Sequence, residues 1–78
     1  MPSTLHSARY SKFRVALIRA RKGAKLTQEA LAAKLSKPQS FVSKYERGER
    51  RLDVIEFLDI VGAIGLDPTR FIRNLPKK

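Results

Sequence analysis

The sequence predicts an all-α fold, a compact bundle of five short helices. In several windows apolar residues recur at the three- and four-residue spacing of one helix face, and no window alternates apolar and polar residues as a strand does. Glycine, proline and capping residues divide this pattern into separate segments. The chain has 78 residues and no cysteine, so packing of one small core must hold the bundle together without disulfides.

The first helix is predicted to run from about Ser7 to Lys22. Its apolar residues fall on one face and are Tyr10, Phe13, Leu17 and Ala20. Gly23 follows the last turn, and glycine readily adopts the left-handed conformation that often closes a helix. We therefore expect Gly23 to form the C-terminal cap.

The second and third helices are predicted to lie on either side of a short turn. Thr27 can cap the second helix with its hydroxyl, and that helix ends near Ser36. Lys37 precedes a proline and is therefore disfavoured in helical geometry, which separates the two helices. Proline suits the first turn of a helix, so the third helix is predicted to begin around Pro38, and it ends at Gly48. Two short helices joined by a turn of about three residues are typical of a helix-turn-helix.

The fourth and fifth helices begin at aspartates that can cap them. Asp53 starts the fourth helix, Gly65 ends it, and Asp67 followed by Pro68 starts the fifth. One predicted buried face of the fourth helix consists of Val54, Phe57, Leu58, Val61 and Ile64. The fifth helix carries Phe71, Ile72 and Leu75. The five helices form one domain, residues 1–78, in which residues 1–6 and 76–78 are predicted to be frayed.

The positive charge is unevenly distributed along the chain. The formal net charge is +10, and residues 52–78 contain as many acidic as basic residues, so the whole excess lies in residues 1–51. A generically soluble surface would be served by charges of both signs spread evenly. A concentrated positive field instead attracts polyanions. The distribution therefore favours nucleic-acid contact by the first two thirds of the chain.

Membrane and enzymatic functions are disfavoured by the sequence. The longest uninterrupted apolar run, residues 15–18, is far shorter than the roughly 20 residues of a membrane span, and no signal peptide is evident. The cationic first helix could lie on an anionic membrane, but its apolar face is needed for the core. Catalytic carboxylate pairs, nucleophile–base pairs and phosphate-binding glycine loops are not found. We expect a cytoplasmic protein without metal, cofactor, membrane partner or enzymatic activity.

The third helix is predicted to separate a core side from an outward side. On a helical wheel Tyr45, Glu46 and Glu49 lie within about 60° of Val42, on the core side. Toward the opposite side lie Ser40, Lys44 and Arg47, flanked by Gln39, Phe41 and Ser43. Glutamine, lysine and serine can hydrogen-bond to base edges in the major groove of double-stranded DNA. Phe41 could either pack back on the second helix or contact a thymine methyl group.

The runs TQEALAAKL (27–35) and QSFVSKYERGER (39–50) resemble the lambda-repressor-like, or xenobiotic-response-element (XRE), helix-turn-helix family of transcription regulators. The resemblance implies that the base-reading residues are Gln39, Ser40, Ser43 and Lys44, and that Gln28, Arg47 and Arg50 contact the DNA backbone. It implies further that Gln28 braces Gln39, and that Arg21 pairs with Glu46. The sequence departs from the family at Ser36, where glycine is common, and at Pro38, where a capping serine or threonine is common.

A homodimer on an operator with two half-sites is the predicted functional unit, because one recognition helix reads only a few base pairs. The predicted dimer surface lies in the charge-neutral last third of the chain and consists of Ile55, Ile60, Phe71, Ile72 and Leu75. The short chain suits a phage repressor, a restriction-modification controller or an antitoxin, and contact with a toxin or RNA polymerase stays open. The alternative is an adaptor or coactivator-like module that uses the same fold to bind proteins.

Overall fold

Five α-helices follow one another in the computed structural model, which describes residues 7–76. They are α1 (Ala8–Gly23), α2 (Gln28–Leu35), α3 (Gln39–Glu46), α4 (Val54–Ile64) and α5 (Pro68–Arg73). The all-α prediction with a helix-turn-helix formed by α2 and α3 is confirmed. Of the ends predicted to be frayed, only Pro76 lies among the described residues, where it is exposed and non-helical. Within residues 7–76 no helix is long and apolar enough to cross a membrane.

Side-chain caps define most of the helix starts. Thr27 Oγ1 accepts a hydrogen bond from the backbone N–H of Ala30 at 3.0 Å, which confirms the predicted cap of α2. Asp53 caps α4 in the same way, and the Glu56 side chain accepts from the Asp53 backbone N–H to complete a capping box. Asp67 caps α5 by accepting from the Thr69 N–H at 3.0 Å. These bonds satisfy amide groups that a helix start otherwise leaves unpaired.

Gly23 does not form the left-handed cap predicted for α1. It is the last residue of the helix, and the positive φ falls on Lys25, at 61°. The carbonyl of Arg21 accepts from the amides of Ala24 and Leu26, both at 3.2 Å. Because these bonds continue a tightened turn past Gly23, the chain reverses two residues later than predicted.

The core lies between the first four helices. Its buried apolar residues are Leu17, Leu31, Ala32, Val42, Tyr45, Phe57, Ile60 and Val61. Phe13, Phe57 and Phe71 form an aromatic cluster with ring centroids 5.5 to 6.3 Å apart, which joins α1, α4 and α5. This packing fixes α2 and α3 on one side of the molecule and leaves the outer side of α3 uncovered by the described residues.

The buried face of α4 differs from the predicted one. Val54 and Leu58 are 70% and 42% exposed, whereas Ile60 is fully buried. The buried residues Phe57, Ile60 and Val61 also follow helical spacing, so periodicity fits both faces equally well. Phe57 and Val61 belong to both faces, and the observed rotation of α4 turns Ile60 into the core in place of Val54 and Leu58.

Candidate nucleic-acid interface

The turn between α2 and α3 contains a left-handed residue at Ser36, the position where the family commonly has glycine. Ser36 adopts a left-handed conformation, with φ 55° and ψ 42°, although it is not glycine. The amide of Lys37 donates to the carbonyl of Ala32 at 3.0 Å, which closes the end of α2. Pro38 precedes α3 without a side-chain cap. The turn therefore keeps its shape despite both departures from the family pattern.

The recognition helix α3 separates its two faces as predicted from the wheel, except that Glu49 lies beyond its end and is exposed. Val42 and Tyr45 are buried in the core, and Glu46 is 5% exposed. Of the predicted base-reading residues, Gln39, Ser40 and Lys44 are exposed and Ser43 is half-buried. The surface that α3 presents is thus polar and cationic, with side chains able to reach a ligand along its outer side.

Phe41 packs against the protein core. Its ring is half-buried and lies edge-on to Tyr45, with centroids 5.6 Å apart. The guanidinium of Arg50 sits 4.9 Å from the ring centroid and the Lys37 ammonium 5.6 Å from it. Of the two predicted alternatives, the structure favours packing over exposure to a thymine methyl group.

Arg21 and Glu46 form a buried ion pair between α1 and α3. Arg21 Nε donates to Glu46 Oε2 at 2.7 Å and Nη2 donates to Oε1 at 3.1 Å, while Nη1 donates to the Leu26 carbonyl at 2.8 Å. Both residues are less than a tenth exposed. The planar guanidinium therefore meets the carboxylate in a two-bond arrangement that fixes the rotation of α3 against α1.

Gln28 connects this ion pair to the outward face of α3. Its Nε2 donates to Glu46 Oε1 at 2.9 Å, and its Oε1 accepts from Gln39 Nε2 at 3.3 Å. The Glu46 carboxylate can only accept hydrogen bonds, so it fixes which end of the Gln28 amide faces Gln39. The structure thus brings Arg21, Glu46, Gln28 and Gln39 into one hydrogen-bonded chain.

The two arginines predicted to contact the DNA backbone differ in their surroundings. Arg47 is exposed and pairs with Glu49 at 3.1 Å on the surface. Arg50 donates to both carboxylate oxygens of Glu56, at 2.9 and 2.6 Å. The hydrogen bonds from Arg50 lower the pKa of Glu56, and the same contact raises the pKa of Arg50. Each arginine therefore has a glutamate carboxylate beside it, and Arg47 is the more exposed of the two.

Two residues of α1, Arg14 and Tyr10, make contacts that are not predicted from the sequence. Arg14 Nη1 donates to the backbone carbonyl of Glu46, at the end of α3. The Tyr10 hydroxyl accepts from the Leu52 amide at 3.2 Å, and the Arg51 guanidinium lies 4.2 Å from the Tyr10 ring. Arg14 precedes Arg21 by seven residues, two helical turns, so both face α3. That spacing was a usable signal for Arg14.

The residues predicted for a dimer surface do not share one environment. Ile55 and Ile72 are 65% and 55% exposed. Phe71 and Leu75 are half-buried, Phe71 against the aromatic cluster. Ile60 is fully enclosed, so its assignment to an interface is wrong, because no part of its side chain reaches the surface. Val54 and Leu58, expected in the core, are exposed instead.

A helix-turn-helix whose second helix turns a polar, cationic side outward defines a class of DNA-binding regulators. The helix-turn-helix family profile matches residues 17–71, and the chain belongs to this family as an XRE-type DNA-binding transcription regulator.

Solved structures similar to this chain carry related descriptions. One is an XRE-family like protein from Pseudomonas syringae pv. tomato str. DC3000, which is 53% identical, with a TM-score of 0.86 over 92% of this chain and 88% of that one. Another is the restriction-modification controller protein C.Esp1396I, described as a tetramer in complex with its natural 35 base-pair operator. It is 26% identical, with a TM-score of 0.82 over 90% of this chain and 92% of that one. A tyrosine-to-phenylalanine mutant of that controller is 28% identical, with a TM-score of 0.80 over 96% of this chain and 90% of that one. The comparison with curated proteins found no match.

Proposed function

We propose that this protein binds operator DNA as a homodimer and controls transcription from the adjacent promoter. The observation that carries the proposal is the outward side of α3, where Gln39, Ser40 and Lys44 are exposed on a helix whose opposite side is buried. A helix presented in this way fits the major groove of B-DNA. One helix reads only a few base pairs, so two copies on neighbouring half-sites supply useful specificity.

Gln39 is suited to reading adenine. One of its amide hydrogens is engaged by Gln28, which leaves one N–H and the Oε1 oxygen to face a base. Adenine presents an acceptor at N7 and a donor at N6, and this pair matches the two remaining groups. Lys44 supplies only donors and suits the O6 and N7 acceptors of guanine, while Ser40 and Ser43 hydrogen-bond to either kind of edge.

The backbone contacts come from the edges of the same surface. Gln28 lies at the first turn of α2, where helix amides attract phosphate, and Arg47 is an exposed cation just past α3. Arg50 adds positive charge that Glu56 partly offsets. These contacts position the protein on the duplex without reading sequence.

The proposed dimer surface uses the apolar residues that α4 and α5 leave exposed. It comprises the exposed residues Ile55 and Ile72 and the half-buried residues Phe71 and Leu75. Val54 and Leu58 extend the exposed apolar area on α4. Residues 52–78 are neutral overall, so two copies can approach there with less repulsion than elsewhere on a chain of charge +10.

Among the types of regulator considered, the restriction-modification controller receives the most support. A controller protein with this fold over most of its length is described as an oligomer on its operator. A regulator of this kind acts on DNA in the cytoplasm.

Selection of bound fragments from random duplex DNA tests the proposal. We expect enriched sites with two-fold symmetry and half-site centres about 34 Å, or one helical turn, apart. Enrichment of no sequence, together with a binding constant that does not change with salt, contradicts the proposal and favours the adaptor function. For a DNA binder that neutralises six to ten phosphates, log affinity falls with log salt at a slope of about −5 to −9.

A further inference from the structure

The backbone carbonyls at the C-terminal end of α3 accept hydrogen bonds from two different kinds of donor. The carbonyls of Ser43, Lys44 and Tyr45 accept from the backbone amides of residues 47, 49 and 48, at 3.0, 2.9 and 3.2 Å. The next carbonyl, that of Glu46, accepts from the Arg14 guanidinium of α1. Backbone amides of the following turn thus bond to three of these carbonyls, and a side chain from another helix bonds to the fourth. A cation at this end also complements the helix dipole.

Arg14 fits closely around the end of α3. A Cβ atom at Gly48 would lie 3.4 Å from Arg14 Nε, and Gly48 is buried with a φ of 79°. Arg14 holds the backbone oxygen of Glu46, and Arg21 holds its carboxylate. Two arginines on one face of α1 therefore fix the same residue of α3 through separate groups.

The opposite end of α3 has no comparable contact with α1 among the described residues. Pro38 provides no side-chain cap, and the contact that reaches Gln39 is its exposed 3.3 Å hydrogen bond with Gln28. Gln39 lies seven residues before Glu46, which is about 10 Å along a helix. A tilt of about 10° around the Glu46 end therefore moves Gln39 by about 2 Å, more than a hydrogen bond to a base tolerates.

We infer that Arg14 is a positioning residue for base reading: by holding the Glu46 carbonyl it sets the angle of α3 in the major groove. Its effect grows with distance from Glu46, so it is largest at the base pairs read by Gln39 and Ser40 and smallest at the one read by Lys44. The inference rests on the proposed function, in which α3 reads bases.

The test compares Arg14→Met with Arg19→Met, which removes the same charge from an exposed position of α1. Dissociation constants are measured for the selected operator, for operators with single base-pair changes and for random duplex, with circular dichroism to establish that each variant is folded. Gln39→Ala and Lys44→Ala identify which base pair each residue reads. Arg14→Met is expected to lower the ratio of operator to random affinity about tenfold, mostly at the base pair of Gln39. Arg19→Met is expected to leave that ratio unchanged.

Arg14→Lys is a second variant, which keeps a donor for the Glu46 carbonyl. It is expected to retain most of the wild-type ratio of operator affinity to random-duplex affinity. The inference is overturned if a folded Arg14 variant weakens operator and random duplex by the same factor, since that is the effect of a phosphate contact. It is also overturned if discrimination falls equally at all base pairs of the half-site. A wild-type protein that prefers no sequence contradicts the proposed function instead, which separates the two failures.

Discussion

Glu46 connects several residues of the candidate interface through its buried carboxylate and its backbone carbonyl. It accepts from Arg21 twice and from Gln28 once, and its backbone carbonyl accepts from Arg14. Removing one member of a buried ion pair leaves the other charge without compensation in a medium that solvates it poorly. The contribution of this pair to stability therefore shows most clearly when one partner alone is neutralised.

We expect Glu46→Gln to lower the free energy of unfolding by about 3 kcal/mol, because the Arg21 guanidinium stays buried without an anionic partner. Urea denaturation followed by circular dichroism measures the change. Glu49→Gln is the matched control, since Glu49 pairs with Arg47 on the surface, and its effect is expected within about 0.5 kcal/mol. Equal effects of the two substitutions would contradict the role given to Glu46.

Tyr45 differs from Glu46, because its buried polar group makes no hydrogen bond within residues 7–76. Among the described residues its hydroxyl has no hydrogen-bond partner, and burial raises the pKa of Tyr45 far above its ordinary value. The hydroxyl loses its hydration on folding and gains nothing in return, which disfavours the folded state.

Tyr45→Phe is therefore expected to leave stability unchanged or raise it by up to about 1 kcal/mol. Tyr10→Phe is the control, because the Tyr10 hydroxyl accepts from Leu52, and its loss is expected to cost about 1 kcal/mol. Thermal unfolding of the three proteins in one buffer gives both values. A clear loss of stability in Tyr45→Phe would show that the hydroxyl has a partner in solution.

At the scale of the helices, local chemistry predicted most starts and ends. The caps at Thr27, Asp53 and Asp67 and the left-handed end of α4 at Gly65 follow from residue type alone. Gly23 shows the limit of this reasoning, because hydrogen bonds of the following turn moved the chain reversal to Lys25. Helix ends are predictable where one side chain decides them, and less so where several amides compete for the same carbonyls.

The sequence predicts the buried face of α3 correctly but not that of α4. The outward side of α3 could be found from the sequence, because charged and polar residues cover one side and Val42 and Tyr45 the other. The face of α4 could not, because apolar residues cover most of that helix, and Phe57 and Val61 belong to the predicted face as well as to the buried one. The bond from Arg14 to the Glu46 carbonyl depends on the distance between two helices, which periodicity does not contain.

The left-handed turn at Ser36 yields a prediction for the helix-turn-helix as an element. A residue with a Cβ atom is disfavoured at φ 55°, and glycine is not. We expect Ser36→Gly to raise the free energy of unfolding by about 0.5 to 1 kcal/mol, measured by urea denaturation. Ala33→Gly, at an exposed position inside α2, is the control and is expected to lower it by a similar amount. Destabilisation by both substitutions would show that Ser36 makes a favourable contact that outweighs its strain.

At the scale of the whole molecule, charge and apolar exposure divide the chain into two regions. The excess positive charge lies in residues 1–51, which contain α1 to α3, whereas residues 52–78 are neutral. Within residues 7–76, four of the six large hydrophobic residues that remain exposed belong to α4 and α5, namely Val54, Ile55, Leu58 and Ile72. The positively charged region and the proposed self-association region are thus separate along the chain.

Ile72→Asp tests the self-association region. A charge in the centre of an apolar interface is expected to convert dimers into monomers, because the carboxylate would be buried without a partner. Sedimentation velocity at several protein concentrations measures the change. Val15→Asp, at another exposed apolar position on α1, is the control and is expected to leave the dimer intact. A dimer that persists in Ile72→Asp places the interface elsewhere.

The hydrogen bond between Gln28 and Gln39 has a consequence for retargeting this regulator to new DNA sequences. Ser40 and Lys44 point away from the scaffold, so an engineer can randomise them in a library while the framework folds as before. Gln39 is different, because its amide is tied through Gln28 to the Arg21–Glu46 pair. A library that varies position 39 should therefore vary position 28 with it, so that the residue at 28 can hydrogen-bond to each new residue at 39.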